Sequence, residues 1–180
     1  MILMGDFAYS WFNKPQDRHT DIIIQIVKLL NCNKYLELGI YDGLNISIIK
    51  KYCDCCVGVD INDVRKYFNY EFKLDNTDDF FNKNTEKFDI IFIDADHNAE
   101  SVKKDFSNSL EILNEFGVIF IHDTDPIIEE YKQPDYCGDS YKIIDWIDET
   151  YQNLNMITLP ITEAGLTIIN RKDDRRVNKF

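Results

Sequence analysis

Tyr35-Leu36-Glu37-Leu38-Gly39-Ile40-Tyr41-Asp42-Gly43 decides how this chain folds. Its first half is an apolar run of strand length, and its second half is a glycine-bearing turn that opens a helix over about residues 44–52. The carboxyl end of such a strand is where an α/β sheet binds its ligand. Gly39 lets the backbone turn and approach a ligand closely, and Gly43 leaves room at the helix start. A glycine pair alone suits a plain strand-to-helix connection equally well, so the acids further along the chain must tip the balance.

Outward from this stretch, apolar runs of strand length alternate with segments of helical period. Upstream, Ile23, Ile26, Val27 and Leu30 share one face of a helix expected over residues 20–31, with Thr20 as its N-cap. Downstream, strands are expected at residues 56–60, near 70–74 and at 88–94, the last apolar without alternation and so buried on both faces. Val102, Phe106, Leu110 and Leu113 keep helical spacing, with Asn98 as the cap and Gly117 breaking the pattern before a fifth strand at 118–122. Residues 123–140 carry two prolines and a glycine and read as a long loop, followed by a helix near 141–151. The last two strands, 156–161 and 166–170, are joined by Thr162-Glu163-Ala164-Gly165, too short for a crossover, so they must pair antiparallel.

The expected fold is therefore α/β: a single-domain, doubly wound, mostly parallel Rossmann-like sheet of seven strands with an antiparallel C-terminal hairpin. Residues 1–170 form the domain, with 1–19 as a lid or substrate segment, and 171–180 form a charged tail.

Composition narrows the partners. The net charge of −12, with Lys and Arg scattered among acids, supplies no basic stripe for nucleic acid. No run reaches the roughly 18 to 20 apolar residues needed to span a bilayer, and the first ten residues lack the layout of a secretion signal. A cytoplasmic protein with no membrane partner is expected, monomeric or homodimeric. Its five cysteines then read as reduced thiols. Cys53-Asp54-Cys55-Cys56 has no second Cys/His pair at zinc-finger spacing, so buried thiols are preferred there to a soft-metal site.

Polar groups end each of the first five strands. Asp60 stands 23 positions after Glu37, near the offset at which an acid accepts hydrogen bonds from ribose hydroxyls. Asp75-Asn76, Asp94-Ala95-Asp96-His97 and His122-Asp123-Thr124-Asp125 close the next three strands at the same edge.

On these residues the sequence resembles the class I S-adenosylmethionine-dependent methyltransferases. Within them it is similar to the small-molecule O-methyltransferase-like group that includes the catechol and caffeoyl-coenzyme A enzymes and bacterial or viral methyltransferase domains. The likeness runs over residues 35–170 and is most specific over 88–97 and 117–126. It implies that Glu37, Gly39 and Gly43 line the methionine and ribose end of the cofactor, with Tyr41 where a middle glycine is common. Asp60 would hold the ribose hydroxyls with Ile61 beside it, Asp75 and Asn76 would flank the adenine, and Asp94 would lie by the transferable methyl group.

In metal-dependent relatives, acids after the fourth and fifth strands and an Asn hold a magnesium ion. The matching positions are Asp94, Asp123 and Thr124, with the Asn replaced, so metal dependence stays open. His97 stands where such relatives carry a catalytic Lys, and its ordinary pKa suits proton removal near neutral pH. His122 competes with it for the role of base. The resemblance implies methyl transfer to a small-molecule acceptor, most simply a hydroxyl oxygen, with an amine also open. Acceptor contacts are expected from the loop 123–140 and from Phe7, Tyr9, Trp11 and Phe12, aromatics that suit core packing equally well.

Two other readings remain. A nicotinamide-dependent oxidoreductase shares the strand-glycine-helix-acid logic, but the glycine spacing here is not Gly-x-Gly-x-x-Gly and the antiparallel ending counts against it. A non-catalytic module that binds S-adenosylmethionine keeps the same fold.

Overall fold

The computed structural model describes residues 17–63, 66–67, 69–161 and 164–173. The aromatic N-terminal segment through Phe12 and the tail from residue 174 lie outside the described residues.

One sheet of seven strands runs in the order β3-β2-β1-β4-β5-β7-β6. Strands β1 (Lys34–Leu38), β2 (Cys55–Asp60), β3 (Glu71–Leu74), β4 (Phe88–Ile93) and β5 (Leu113–His122) are mutually parallel. Strand β7 (Leu166–Arg171) lies antiparallel between β5 and β6 (Leu154–Leu159), as the short link requires. The chain winds outward from β1 to β3 and then returns to β4 on the other side of β1. The order therefore reverses between β1 and β4, the place where doubly wound sheets open a crevice for ligands.

The helices are α1 (Asp17–Leu30), α2 (Leu44–Ile49), α3 (Thr77–Lys83), α4 (Ala99–Ile112) and α5 (Ile143–Thr150). Core residues fall into two clusters. One holds Leu36, Leu38, Ile91, Ile93, Phe106 and Ile147, and the other holds Ile23, Tyr35, Ile46, Ile90, Phe92 and Phe120. Alternate residues of β1 and β4 enter different clusters, which is why those strands are apolar without a polar face. Asn98 caps α4 as its sequence suggests, its side chain accepting from the amides of Glu100 and Ser101.

Several boundaries depart from the sequence reading, each because of a long-range partner or a weak local signal. Helix α1 begins at Asp17, so Thr20 is not its N-cap: its buried hydroxyl donates to Asn45 Oδ1 at 2.5 Å. Helix α3 was not expected, since only Phe80 of its seven residues is buried. Helix α2 ends at Ile49, short of the expected residue 52. Gly117 does not end a helix. It lies inside β5, which already begins at Leu113 beside a register irregularity at Phe88/Ile90. Arg171 belongs to β7 rather than to a loose tail, and its guanidinium donates to the carbonyls of Leu110, Leu113 and Asn114. The loop 123–140 contains a 3-10 turn at Glu129–Lys132, and a second begins at its end, Ser140–Lys142. No helix among the described residues is long and apolar enough to cross a membrane. Cys32, Cys53, Cys56 and Cys137 are buried free thiols, and Cys55 is half-buried.

Candidate active site

Gly39, at the end of β1, has a φ of +80°, and a Cβ there would stand 2.2 Å from the carbonyl oxygen of Asp94. The turns after β1 and β4 thus touch backbone to backbone, which only glycine allows. Asp94 donates its amide to Leu38 O at 2.9 Å and so continues the ladder into the crevice.

A cavity of about 650 Å³ opens at this point. It brings together Gly39, Tyr41, Asp60, Ile61, Asp94, His97, His122 and Asp123 from the sequence reading. A second hollow of about 440 Å³ shares Gly39, Asp60 and Ile61 with it and adds Asp75 and Asn76. A small third one of about 130 Å³ takes in Glu37 and shares Gly39, Tyr41 and Asp94. Gly43 lines none of these three. It is the N-cap of α2, with a φ of +79°, and its missing Cβ leaves room for the Tyr70 hydroxyl.

The acids differ in their duties. One Asp60 oxygen accepts from the amides of Ile40 and Tyr41 at 3.1 and 3.2 Å, and the other accepts from Asn62 at 2.8 Å. Asp60 therefore braces the glycine turn while facing the cavity. Glu37 is buried and accepts from the Tyr35 hydroxyl at 2.5 Å and the Asn45 amide at 2.6 Å. Burial pushes its carboxyl up to about 8 against the pull of those two donors. Asp75 pairs with Lys83 at 2.6 Å, and Asn76 caps α3 by accepting from the Asp79 amide.

Around Asp123 the groups are tightly coupled. His97 Nε2 lies 3.0 Å from Asp123 Oδ2 and 4.0 Å from Asp94 Oδ1. His122 Nδ1 lies 3.2 Å from Asp94 Oδ1 and 3.1 Å from Asp123 Oδ1. The hydrogen bond to Asp123 raises the pKa of His97 against its burial. Burial opposes charge on His122, but Asp94 and Asp123 outweigh it and lift the ring to about 9. Burial likewise opposes charge on Asp123, and the two imidazoles overcome it. Asp123 has a φ of +61°, unusual for a residue with a Cβ, and its carbonyl is held by the Ser140 hydroxyl at 2.7 Å.

Thr124, at the position of the missing Asn ligand, is engaged with β7. Its buried hydroxyl accepts from Thr167 at 2.8 Å. Among the described residues, Asp94, His97 and Asp123 are instead the His, Cys, Asp and Glu side chains gathered tightly enough for a cation, with ligand atoms within 4.8 Å of one another. The cysteine cluster at 53–56 forms no such group.

Sequence reasoning missed His19, whose ring stacks on Phe92 at 5.3 Å and meets His122 at 5.1 Å. All three histidines of the chain thus gather near Asp94 and Asp123. It also did not single out Tyr131, Tyr136 and Cys137, which bring the loop 123–140 to the cavity wall. The composition of that loop was its only signal.

The reversed strand order and the antiparallel β7 are those of the class I methyltransferase fold, with an acid-lined crevice at the point where the order reverses. Residues 36–124 match a family model described as a methyltransferase domain. Among solved structures, an O-methyltransferase from Bacillus cereus in complex with SAH superposes with a TM-score of 0.69 at 16% identity, over 87% of this chain and 81% of that one. The O-methyltransferase TomG from Streptomyces achromogenes, in complex with SAM, gives 0.65 at 14% identity, over 87% and 80%. An SAH-bound methyltransferase from Podospora anserina gives 0.66 at 16% identity, over 92% and 86%. At such identities the likeness is one of fold. No curated protein matches the sequence.

Proposed function

We propose that this chain transfers a methyl group from S-adenosylmethionine to a hydroxyl oxygen of a small-molecule acceptor in the cytoplasm, with His97 taking the acceptor's proton. The observation that carries the reading is the His97–Asp123 pair, 3.0 Å apart, in the cavity that also contains Gly39 and Asp60.

The cofactor fits the residues present. Gly39 leaves the backbone bare, Asp60 offers a carboxylate at the end of β2, and Asp75 with Asn76 lines the adjoining hollow. S-adenosylmethionine would supply a methyl group already activated on a sulfonium. The protein then needs only to align an acceptor oxygen and remove its proton. Asp123 orients His97 and favours the imidazolium formed once it has taken that proton. His122, held between Asp94 and Asp123, keeps the two carboxylates in place. Tyr131 and Tyr136 supply aromatic surface for the acceptor.

The close grouping of Asp94, His97 and Asp123 favours a second reading, in which the same residues hold a divalent cation. An imidazole among the donors suits a borderline metal better than magnesium, whose sites are built of oxygen. His97 would then be a ligand and not the base.

The test begins with thermal unfolding: S-adenosylhomocysteine raises the melting temperature and NAD does not. Transfer of labelled methyl to a panel of hydroxylated acceptors is then measured with and without a chelator. Stabilisation by NAD alone would favour an oxidoreductase, cofactor binding with no transfer to any acceptor a non-catalytic module, and loss of turnover on chelation the metal reading.

A further inference from the structure

A polar cavity of about 570 Å³, within the size range of ligand sites, lies between the turn joining β4 to α4 and the far half of the loop 123–140. It meets the main cavity at Ala95 and His97, so His97 borders both. Asn98, Lys132 and Asp139 on its wall line none of the three hollows described above. The far wall is fixed to the turn that carries His97. A Cβ at Gly138, whose φ is +55°, would stand 2.3 Å from the His97 carbonyl oxygen. The Asp139 amide donates to that oxygen at 3.0 Å, and the Asp139 carboxylate accepts from the Ala99 amide at 2.7 Å. The space is therefore built into the fold.

Its wall mixes hydrogen-bond donors with acceptors and carries little unmatched charge. Lys132 pairs with Glu129 at 2.7 Å, and Asp139 pairs with Lys142 at 3.1 Å. Asn98 spends its side-chain oxygen on the amides of Glu100 and Ser101, which leaves its NH2 as a donor. One Asp96 oxygen accepts from the Asn98 amide at 3.2 Å, which leaves the other as an acceptor. An anion would face the carboxylates of Asp96 and Asp139, and a cation would face the Lys132 ammonium. Hydroxyl groups both give and accept, so they match such a wall without an ionic partner. Among the described residues no Phe, Tyr or Trp lines this cavity, so a phenol ring finds no stacking face in it. Tyr131 and Tyr136 lie on the main-cavity side, where they offer apolar surface to the reacting end of the acceptor.

We infer that the acceptor is a neutral, hydroxyl-rich molecule of the sugar class, with its reacting hydroxyl at His97 and its other hydroxyls in the polar cavity against Asp96, Asn98, Lys132 and Asp139. This rests on the methyl-transfer reading above and narrows it. In the transfer an electron pair of the hydroxyl oxygen forms the new C–O bond, the C–S electron pair returns to sulfur, and the hydroxyl proton passes to His97. The products are the O-methyl sugar and S-adenosylhomocysteine.

The test offers methyl-labelled S-adenosylmethionine together with methyl glycosides of hexoses, deoxyhexoses and pentoses, with catechol and caffeic acid, and with phenethylamine. Label is expected on at least one glycoside and on neither the phenols nor the amine. Asn98→Ser keeps an oxygen to cap α4 but withdraws the amide, and Lys132→Met removes the ammonium. Each should raise KM for that glycoside about threefold or more, as loss of a hydrogen bond would, and leave S-adenosylhomocysteine affinity within about twofold. Lys132→Arg, which keeps donors, should recover part of the loss. Label confined to the phenols overturns the inference while transfer to a hydroxyl stands, and label confined to the amine overturns both. An unchanged KM in both variants also overturns the inference. Binding of S-adenosylhomocysteine with no transfer to any of the three classes overturns it together with the methyl-transfer reading, and failure to bind overturns the cofactor reading itself.

Discussion

His97 Nε2 lies 3.0 Å from one oxygen of Asp123, and His122 Nδ1 lies 3.1 Å from the other. One buried carboxylate thus orients two imidazoles, of which His97 is the more exposed at 35% against 18%. His97→Ala should lower methyl transfer by roughly a hundredfold or more, as loss of a general base does, and leave S-adenosylhomocysteine affinity nearly unchanged. Asp123→Asn should lower turnover too, because the ring loses its charged partner. If His122→Ala abolishes transfer while His97→Ala does not, the base sits at the end of β5.

Asp60 supports the turn and faces the ligand, and two substitutions separate these duties. Asp60→Ala should weaken S-adenosylhomocysteine by about 1 to 3 kcal/mol and also lower the melting temperature, since the Ile40 and Tyr41 amides lose their acceptor. Asp60→Asn keeps an acceptor for those amides but turns its NH2 toward the Asn62 amide, so it should recover part of the melting temperature and less of the affinity. Calorimetry beside thermal unfolding checks both, and unchanged affinity in both variants would confine Asp60 to the turn.

Gly39→Ala and Gly43→Ala should differ, though both residues have positive φ. The Cβ at Gly39 would meet backbone at 2.2 Å, while at Gly43 it would meet the end of the Tyr70 side chain at 2.1 Å, which can swing aside. Denaturant unfolding should show a loss of about 2 kcal/mol or more at Gly39 and a smaller one at Gly43. Equal losses would refute the close approach of the β1 and β4 turns.

Asp105 gives a pH test remote from the histidines. It is buried on α4, and burial raises its carboxyl from 3.8 to about 6. The folded state then holds a proton that the unfolded chain has released, so this group's contribution to stability falls as pH rises from about 4 to 6 and stays low above that. Asp105→Asn should remove the slope and stabilise the protein at pH 8 relative to wild type, by on the order of 1 kcal/mol, with little gain at pH 4. Parallel melting-temperature profiles for the two proteins would show that Asp105 is not buried as charge.

Amino-acid order alone determined what depends on short stretches of backbone. The apolar run at Phe88–Ile93 needs two covered faces wherever it lies, a four-residue link cannot carry a parallel crossover, and the Asn98 side chain reaches the amides of its own helix. The fold and the acidic edge were therefore legible. Tertiary structure decided which side chains meet. β4 and β5 pair with Ile93 beside Ile121, and this register sets Asp94 against His122 and brings Asp123 within reach of His97. The same packing sends Thr124 to Thr167 and brings His19, from α1, against Phe92. A change of register by one residue would turn those side chains to opposite faces, and no local period records it.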